Sequence, residues 1–404
     1  MNILLISTIY PLPTANSVGT KVCHFFALEW IKMGHNVKVV HYQAVYPRFF
    51  YWVAKLMHKF LIAKTGAVIY KERDKEVLHY VMDGVPVTRI PLYKPKPHGR
   101  FSAKGVKSSI ESILADNKAN DFVPDVIVGH FVNPQFEVID TLKRHYLNAK
   151  TALVYHLPAE IQMAKNVYGG RLNSIMENIN VLGFRSDPLR REFEKDLGHK
   201  CRSFICYSGI PESYITQKNT HRFEGKVKDF IYVGLLIERK YPAQIVEALR
   251  RAYPNNDFHI NYVGDGQQSK VITKQIKQYG LANQVTLLGR IPRDEIKAKY
   301  DEAQCMIMIS KGEAYGLVYL EAMARGCITI ASRNEGFDGV IIDGENGFLC
   351  EAGNAHELAL IINRINYLSA EERLAISNNA IKTALGLTDH LAAKRYLDDV
   401  LSNS

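Results

Sequence analysis

Short apolar runs alternate with amphipathic stretches from one end of this chain to the other. In the first half, bulky runs predict strands near Asn2–Ser7, Asn36–His41, Val87–Ile90, Val126–Val128, Thr151–Tyr155, Ile179–Gly183 and Ser203–Cys206. In the second half they recur near Asp229–Val233, His259–Val263, Val285–Leu288, Cys305–Ile309, Cys327–Ala331 and Gly347–Cys350. Segments of helical period lie between them, such as Lys21–Met33 ahead of Gly34. Runs that are apolar throughout, not on every second residue, fit strands buried on both faces. This predicts an α/β protein with parallel sheets. The segment 208–227 opens with Ser-Gly-Ile-Pro-Glu-Ser, continues polar and charged, and breaks the pattern, so it reads as a linker. The expected organisation is a first domain at 1–207, the linker, a second domain at 228–385, and a C-terminal helix within 386–404 that returns to the first domain. Ligands of such sheets bind beyond the strand C-termini, which predicts a site in a cleft between two facing sheets.

Composition narrows the class. With 47% hydrophobic and 23% charged residues over 404 positions, the chain is an ordinary soluble globular protein, long enough for two cores. No stretch approaches the roughly 20 apolar residues that span a bilayer. The N-terminus has no basic region before its apolar run, so it reads as a first strand and not a signal peptide. The six cysteines lack CxxC spacing and read as buried cytosolic thiols. The expected location is therefore cytoplasmic.

Charge changes the picture. The net +10 is confined to residues 1–210, with 28 Lys+Arg against 17 Asp+Glu; the remainder holds 23 against 24. No acidic residue occurs between Glu29 and Glu72, a gap with seven Lys or Arg. Within it, residues 46–64 place Phe49, Val53, Leu56, Met57 and Phe60 on one helical face, with Arg48, Lys55 and Lys59 on another. Such a helix suits an anionic membrane surface, here the inner face of the cell membrane. Alternatively it packs on its own domain with its lysines solvated. No DNA- or RNA-binding motif accompanies the charge, which argues against a nucleic-acid partner.

Candidate chemistry concentrates at Glu313-Ala-Tyr-Gly-Leu-Val-Tyr-Leu-Glu321, two carboxylates separated by seven residues. An apolar run precedes it and a helix-forming stretch, Leu317 to Arg325, follows, so the motif sits on a strand–loop–helix corner. Glu313 falls in the loop and Glu321 more than a turn into the helix. Gly316 leaves room for a ligand, and the free amides of the first helical turn (Leu317, Val318) suit a phosphate. Two carboxylates flanking a phosphate site can address hydroxyls on either side, as a sugar nucleotide requires. Other pieces point the same way. Val233-Gly234 with Arg239 and Lys240 is a strand end, a glycine turn and a basic pair. Gly264-Asp-Gly266 is a tight turn after a strand. Leu288-Gly-Arg290-Ile291-Pro292 offers backbone groups to a nucleobase edge, and Ala331 to Gly336 can close the pocket floor. Each reads equally well as an ordinary turn or solvated loop when taken alone.

In register, these motifs strongly resemble the retaining glycosyltransferases of family 4 (glycosyl transferases group 1), whose GT-B architecture is two Rossmann-like domains facing across a cleft. The resemblance covers nearly the whole chain and is densest from about 230 to 350. It implies that Glu321 binds the ribose of a nucleoside-diphosphate sugar. Glu313 lies beside the donor sugar, Lys240 meets the diphosphate, and the backbone from Ala314 and Tyr315 through Gly316, Leu317 and Val318 meets phosphate or sugar. His156, in Leu153-Val-Tyr-His-Leu-Pro158, matches the family's Thr-x-His position, and His130 is a second cleft candidate. No cofactor and no metal are implied, since no Asp-x-Asp motif is present. Two departures stand out. Leu235 replaces the usual diphosphate-binding Arg, leaving Arg239 as substitute. Ser17-Val18-Gly19 replaces the usual diglycine after the first strand, so that loop recognises the acceptor instead.

The expected function is retaining transfer of a sugar to a glycan or lipid-linked acceptor, as in bacterial capsule, O-antigen or exopolysaccharide assembly. The rivals are a nucleotide-sugar epimerase of the same architecture and a non-catalytic sugar-nucleotide binder. Intact Glu313 and Glu321 argue against the latter. A nicotinamide-dependent dehydrogenase is disfavoured because neither half shows Gly-x-Gly-x-x-Gly after its first strand. The expected ribose role of Glu321 argues against a glycosidase carboxylate pair.

Overall fold

A computed structural model describes residues 1–13, 21–53, 74–198, 200–216 and 223–402. Ser17, Val18 and Gly19 lie outside these residues, as do 54–64 of the amphipathic segment. The chain divides into two units. The first comprises Met1–Arg185, Arg191–Cys206 and Ala393–Ser404; the second comprises Ser186–Arg190 and Tyr207–Ala392.

The first unit is built on eight strands: β1 (Asn2–Ser7), β2 (Asn36–Val45), β3 (Leu78–Met82), β4 (Val85–Tyr93), β5 (Val126–His130), β6 (Lys150–Tyr155), β7 (Val181–Phe184) and β8 (Ser203–Ile205). Their order is β3-β4-β2-β1-β5-β6-β7-β8. All neighbours are parallel except β3 and β4, a hairpin turning at Asp83-Gly84 with φ of +49° and +84°. The order reverses between β1 and β5, where Ser7 lies beside His130. Central strands are apolar throughout, and Ile3, Leu5, Ile6, Ile127 and Val128 are fully buried. The C-terminal helix Asp389–Ser402 supplies Tyr396, whose ring meets Phe26 and Trp30 edge-on, and the Ala393 carbonyl, which accepts the Trp30 indole N–H at 3.0 Å.

The second unit holds six parallel strands: β9 (Asp229–Val233), β10 (His259–Val263), β11 (Val285–Gly289), β12 (Cys305–Ile307), β13 (Ile328–Ser332) and β14 (Phe348–Cys350). The order β11-β10-β9-β12-β13-β14 is that of a dinucleotide-binding sheet, with its reversal between β9 and β12.

Three differences from expectation have physical reasons. The segment expected as a linker belongs to the second unit in its described parts: Ile210, Tyr214, Phe223 and Val227 are buried in that unit's core. β3 was not foreseen because as an edge strand it is mostly solvated, with Val81 69% exposed. The 46–64 segment is helical from 48 to 53, where Tyr51 packs against Tyr46 while Phe49 and Trp52 are each 63% exposed. All six cysteines are free thiols, five buried and Cys201 partly exposed.

Candidate active site

In the second unit, the loops leaving β9, β10 and β11 are joined by main-chain hydrogen bonds. Gly234 N–H donates to Val263 O (2.9 Å), Leu236 N–H to Asp265 O (3.0 Å), and Gly264 N–H to Gly289 O (2.7 Å). The approach demands glycine: a Cβ on Gly264, at φ +140°, would lie 1.9 Å from the Gly234 carbonyl oxygen. Arg290 and Ile291 follow directly, the former exposed and the latter half-buried. Leu235 is 46% exposed, and its carbonyl accepts the Tyr232 hydroxyl at 2.8 Å.

At the strand-order reversal, the loops after β9 and β12 meet. The Lys240 ammonium lies 3.1 Å from Glu313 Oε2, both side chains largely buried, and its Nζ also reaches Met308 Sδ at 3.5 Å. Arg239 Nη1 is turned onto the same loop, donating to the carbonyls of Lys311 (3.1 Å) and Gly312 (3.3 Å), and stands 4.0 Å from Glu313. The Glu313 loop is fixed from behind by the 331–336 segment. Glu313 N–H donates to Glu335 Oε2 (2.9 Å) and Gly336 N–H to Glu313 O (2.9 Å). Tyr315 is buried, its hydroxyl donating to Ser208 O at 3.0 Å and its ring packed on Phe337, so its side chain is engaged within the fold.

Gly316 caps the helix Leu317–Ala324 in the left-handed region, φ +86° and ψ +66°, with no side-chain cap. A Cβ there would lie 2.4 Å from the Tyr319 ring. The first-turn amides of Leu317 and Val318, both half-buried, thus begin the helix directly after the Glu313 loop.

One turn on, Glu321 is only 8% exposed in its side chain and accepts Arg293 Nη2 at 2.8 Å. The Tyr300 hydroxyl, which donates to Val318 O at 3.3 Å, lies near the same carboxylate. Burial pushes the Glu321 carboxyl above its ordinary range, while Arg293 and Tyr300 pull it back. No local spacing signals Arg293, because it lies 28 positions from Glu321 on another helix, Arg293–Glu302.

In the first unit, His130 ends β5 and His156 follows β6. His130 Nδ1 and His156 Nε2 are 3.0 Å apart, and His130 Nε2 reaches the Tyr396 hydroxyl at 3.2 Å. His156 stacks on Phe131 with 3.9 Å between ring centres. Burial keeps both imidazoles neutral, His130 at about 3 and His156 well below the ordinary histidine range. Glu160, not singled out from the sequence, accepts the amides of His156 and Leu157, and burial raises its carboxyl to about 7. The structure therefore joins Lys240, Arg239 and Glu313 in one cluster, Glu321 with Arg293 one turn beyond, and His130 with His156 in the other unit. Among the described residues, no group of His, Cys, Asp and Glu has the arrangement of a metal site.

Residues 214–383 match the family model "Glycosyl transferases group 1". The uncharacterized glycosyltransferase MJ1178 of Methanocaldococcus jannaschii is 26% identical over 58% of this chain, an alignment that spans 63% of that relative, less than two thirds of its length. The amylovoran biosynthesis glycosyltransferase AmsK of Erwinia amylovora is 22% identical over 96% of both chains. Among solved structures, HepE of Anabaena in complex with UDP superposes over 100% of each chain with a TM-score of 0.66 at 17% identity, which identifies the shared fold as GT-B.

Proposed function

The chain belongs, through residues 214–383, to glycosyl transferases group 1, and from that premise we propose that it moves a sugar from a nucleoside-diphosphate donor to a hydroxyl of a glycan or lipid-linked acceptor, with retained configuration. The observation that carries this reading is the Lys240–Glu313 pair at the strand-order reversal, directly ahead of the helix N-terminus at Leu317. Lysine has three N–H donors; Glu313 and the Met308 sulfur engage two, which leaves one for a phosphate oxygen. When the bond from the sugar's anomeric carbon to the diphosphate breaks, charge develops on the departing oxygen. Lys240 and the amides of Leu317 and Val318 meet that charge already oriented, so no metal is required. The acceptor oxygen bonds to the anomeric carbon on the face the diphosphate leaves, and its proton passes to the leaving phosphate. Glu313 lies beside the reacting carbon, and Glu321 takes the nucleoside hydroxyls. Arg239 secures the Glu313 loop through two carbonyls and stands beside the diphosphate in place of the residue that Leu235 replaces.

A role in surface-polysaccharide assembly is supported by the end-to-end similarity to an amylovoran biosynthesis glycosyltransferase. A UDP complex of a protein with this fold supports a nucleotide donor. Charge supports an anionic membrane surface as the place of work. β2 and β4 end side by side, Val45 against Tyr93, and each feeds an acid-free segment. One carries exposed Arg48, Phe49 and Trp52; the other carries exposed Lys96, Arg100, Lys104 and Lys107. Among the described residues no helix is long and apolar enough to cross a membrane, so contact would be peripheral. Incubation with nucleoside-diphosphate sugars and acceptor extracts tests the reaction. The expected product has the donor's anomeric configuration by NMR and forms equally in EDTA. Donor turnover to an epimer without any acceptor would favour the rival enzyme class.

A further inference from the structure

Resting on the reading that Glu321 takes the nucleoside hydroxyls, we propose that Arg293 is a positioning residue of that site, which keeps the Glu321 carboxylate ionised and fixed in orientation without itself contacting the donor. An isolated ionised carboxylate in so enclosed a position is unfavourable by several kcal/mol and would neutralise by taking up a proton. The protonated form is a poorer acceptor for two neighbouring hydroxyls than the charged form. Arg293, 2.8 Å away and 43% exposed in its side chain, keeps part of its own hydration while supplying the missing charge.

Arg293 is itself held in place. It opens its helix, its carbonyl accepts the Tyr214 hydroxyl at 3.2 Å, and its guanidinium carbon lies 5.2 Å from the Tyr214 ring centre. The groups facing Glu321 come from two elements: Arg293 and Tyr300 on the helix 293–302, and Tyr214 on the turn Glu212–Tyr214. Asp294 lies next to Tyr214 and adds negative potential there. Arg293 is the cation paired with the Glu321 carboxylate; Lys297 and Arg325 sit on the Tyr214 ring and carbonyl, so removal of Arg293 leaves the carboxylate without its hydrogen-bonded cation.

The opposite role is also physically defined: Arg293 would occupy the hydroxyl-binding position and be displaced by donor. The two differ in sign. Calorimetric titration of UDP, GDP and ADP, followed by the 2′-deoxy and 3′-deoxy forms of whichever binds, separates them at about pH 6 and pH 8. Wild type should prefer the ribonucleotide over at least one deoxy form by about tenfold or more. Arg293→Met should lose most of that preference and weaken further at the lower pH than wild type does. Arg293→Gln should behave similarly, and Arg293→Lys should restore both properties. The nucleotide's own phosphate titrates alike in every variant and cancels. Tighter binding by Arg293→Met, or an unchanged deoxy discrimination and pH profile, would overturn the proposal. Failure of the underlying reading looks different: wild type and Glu321→Gln would then discriminate equally little, or wild type would bind none of the three nucleotides.

Discussion

At the residue scale, the decisive pair is Lys240 and Glu313, two oppositely charged side chains withdrawn together from water. Buried partners of this kind are strongly interdependent, because removing one leaves the other uncompensated. Lys240→Met should therefore reduce kcat by roughly 10²- to 10³-fold through lost stabilisation of the leaving diphosphate. Glu313→Gln should abolish turnover while leaving nucleotide affinity within a few-fold of wild type; Glu321→Ala should mainly weaken affinity. Steady-state kinetics with parallel calorimetry check this division, and a Glu313→Gln enzyme with full activity would remove that residue from the mechanism. Glu160 offers a pH test. Its carboxyl is raised to about 7 in the folded protein, so the protonated form is favoured there, and its stabilisation, complete below about 4.5, is lost as pH rises through 7. The Tm of Glu160→Gln relative to wild type should therefore increase between about pH 5 and pH 8, by the equivalent of a few kcal/mol. A difference independent of pH would contradict the assignment. Glu313, Glu321, Lys240 and the glycine turns were legible in the sequence because each sits at a fixed offset from a strand or helix end. Arg293, Glu335 and Tyr396 reach their partners through tertiary folding, and no local spacing announces such contacts.

At the element scale, the site depends on how a helix begins. Gly316 reconciles a sharp turn out of β12 with a helix whose first amides are left without a side-chain cap. Gly316→Ala combines left-handed strain with a clash against Tyr319, so stability should fall by roughly 1–3 kcal/mol and donor affinity should fall with it. Gly280→Ala is the control. It carries φ +66° at a helix end with open space around it, so it should lose only about 1 kcal/mol and leave kinetics unchanged. Thermal denaturation with donor titration measures both. The elements themselves were readable wherever burial is two-sided: β1, β9 and β10 span their expected residues because apolar side chains fill both faces. β3 escaped because its exposed edge carries no such run. The 208–227 segment misled because its core contacts, Ile210, Tyr214, Phe223 and Val227, are spaced too irregularly to show a period.

At the scale of the whole molecule, two parallel-sheet units carry different chemistry: a neutral imidazole pair in one, the charged cluster in the other. The excess positive charge belongs to the first half of the chain. Flotation should show binding to vesicles containing anionic lipid, weakened by raised salt and by Phe49→Ser with Trp52→Ser, and little binding to neutral vesicles. Equal and negligible flotation with both would remove the membrane surface from the account without affecting the donor site. The donor site itself is tested most directly by a crystal structure with a bound nucleoside-diphosphate sugar. The diphosphate should lie within about 3 Å of Lys240 Nζ and of the Leu317 or Val318 amide, with the nucleoside hydroxyls on Glu321. A diphosphate bound away from the loop that carries Glu313 would contradict it.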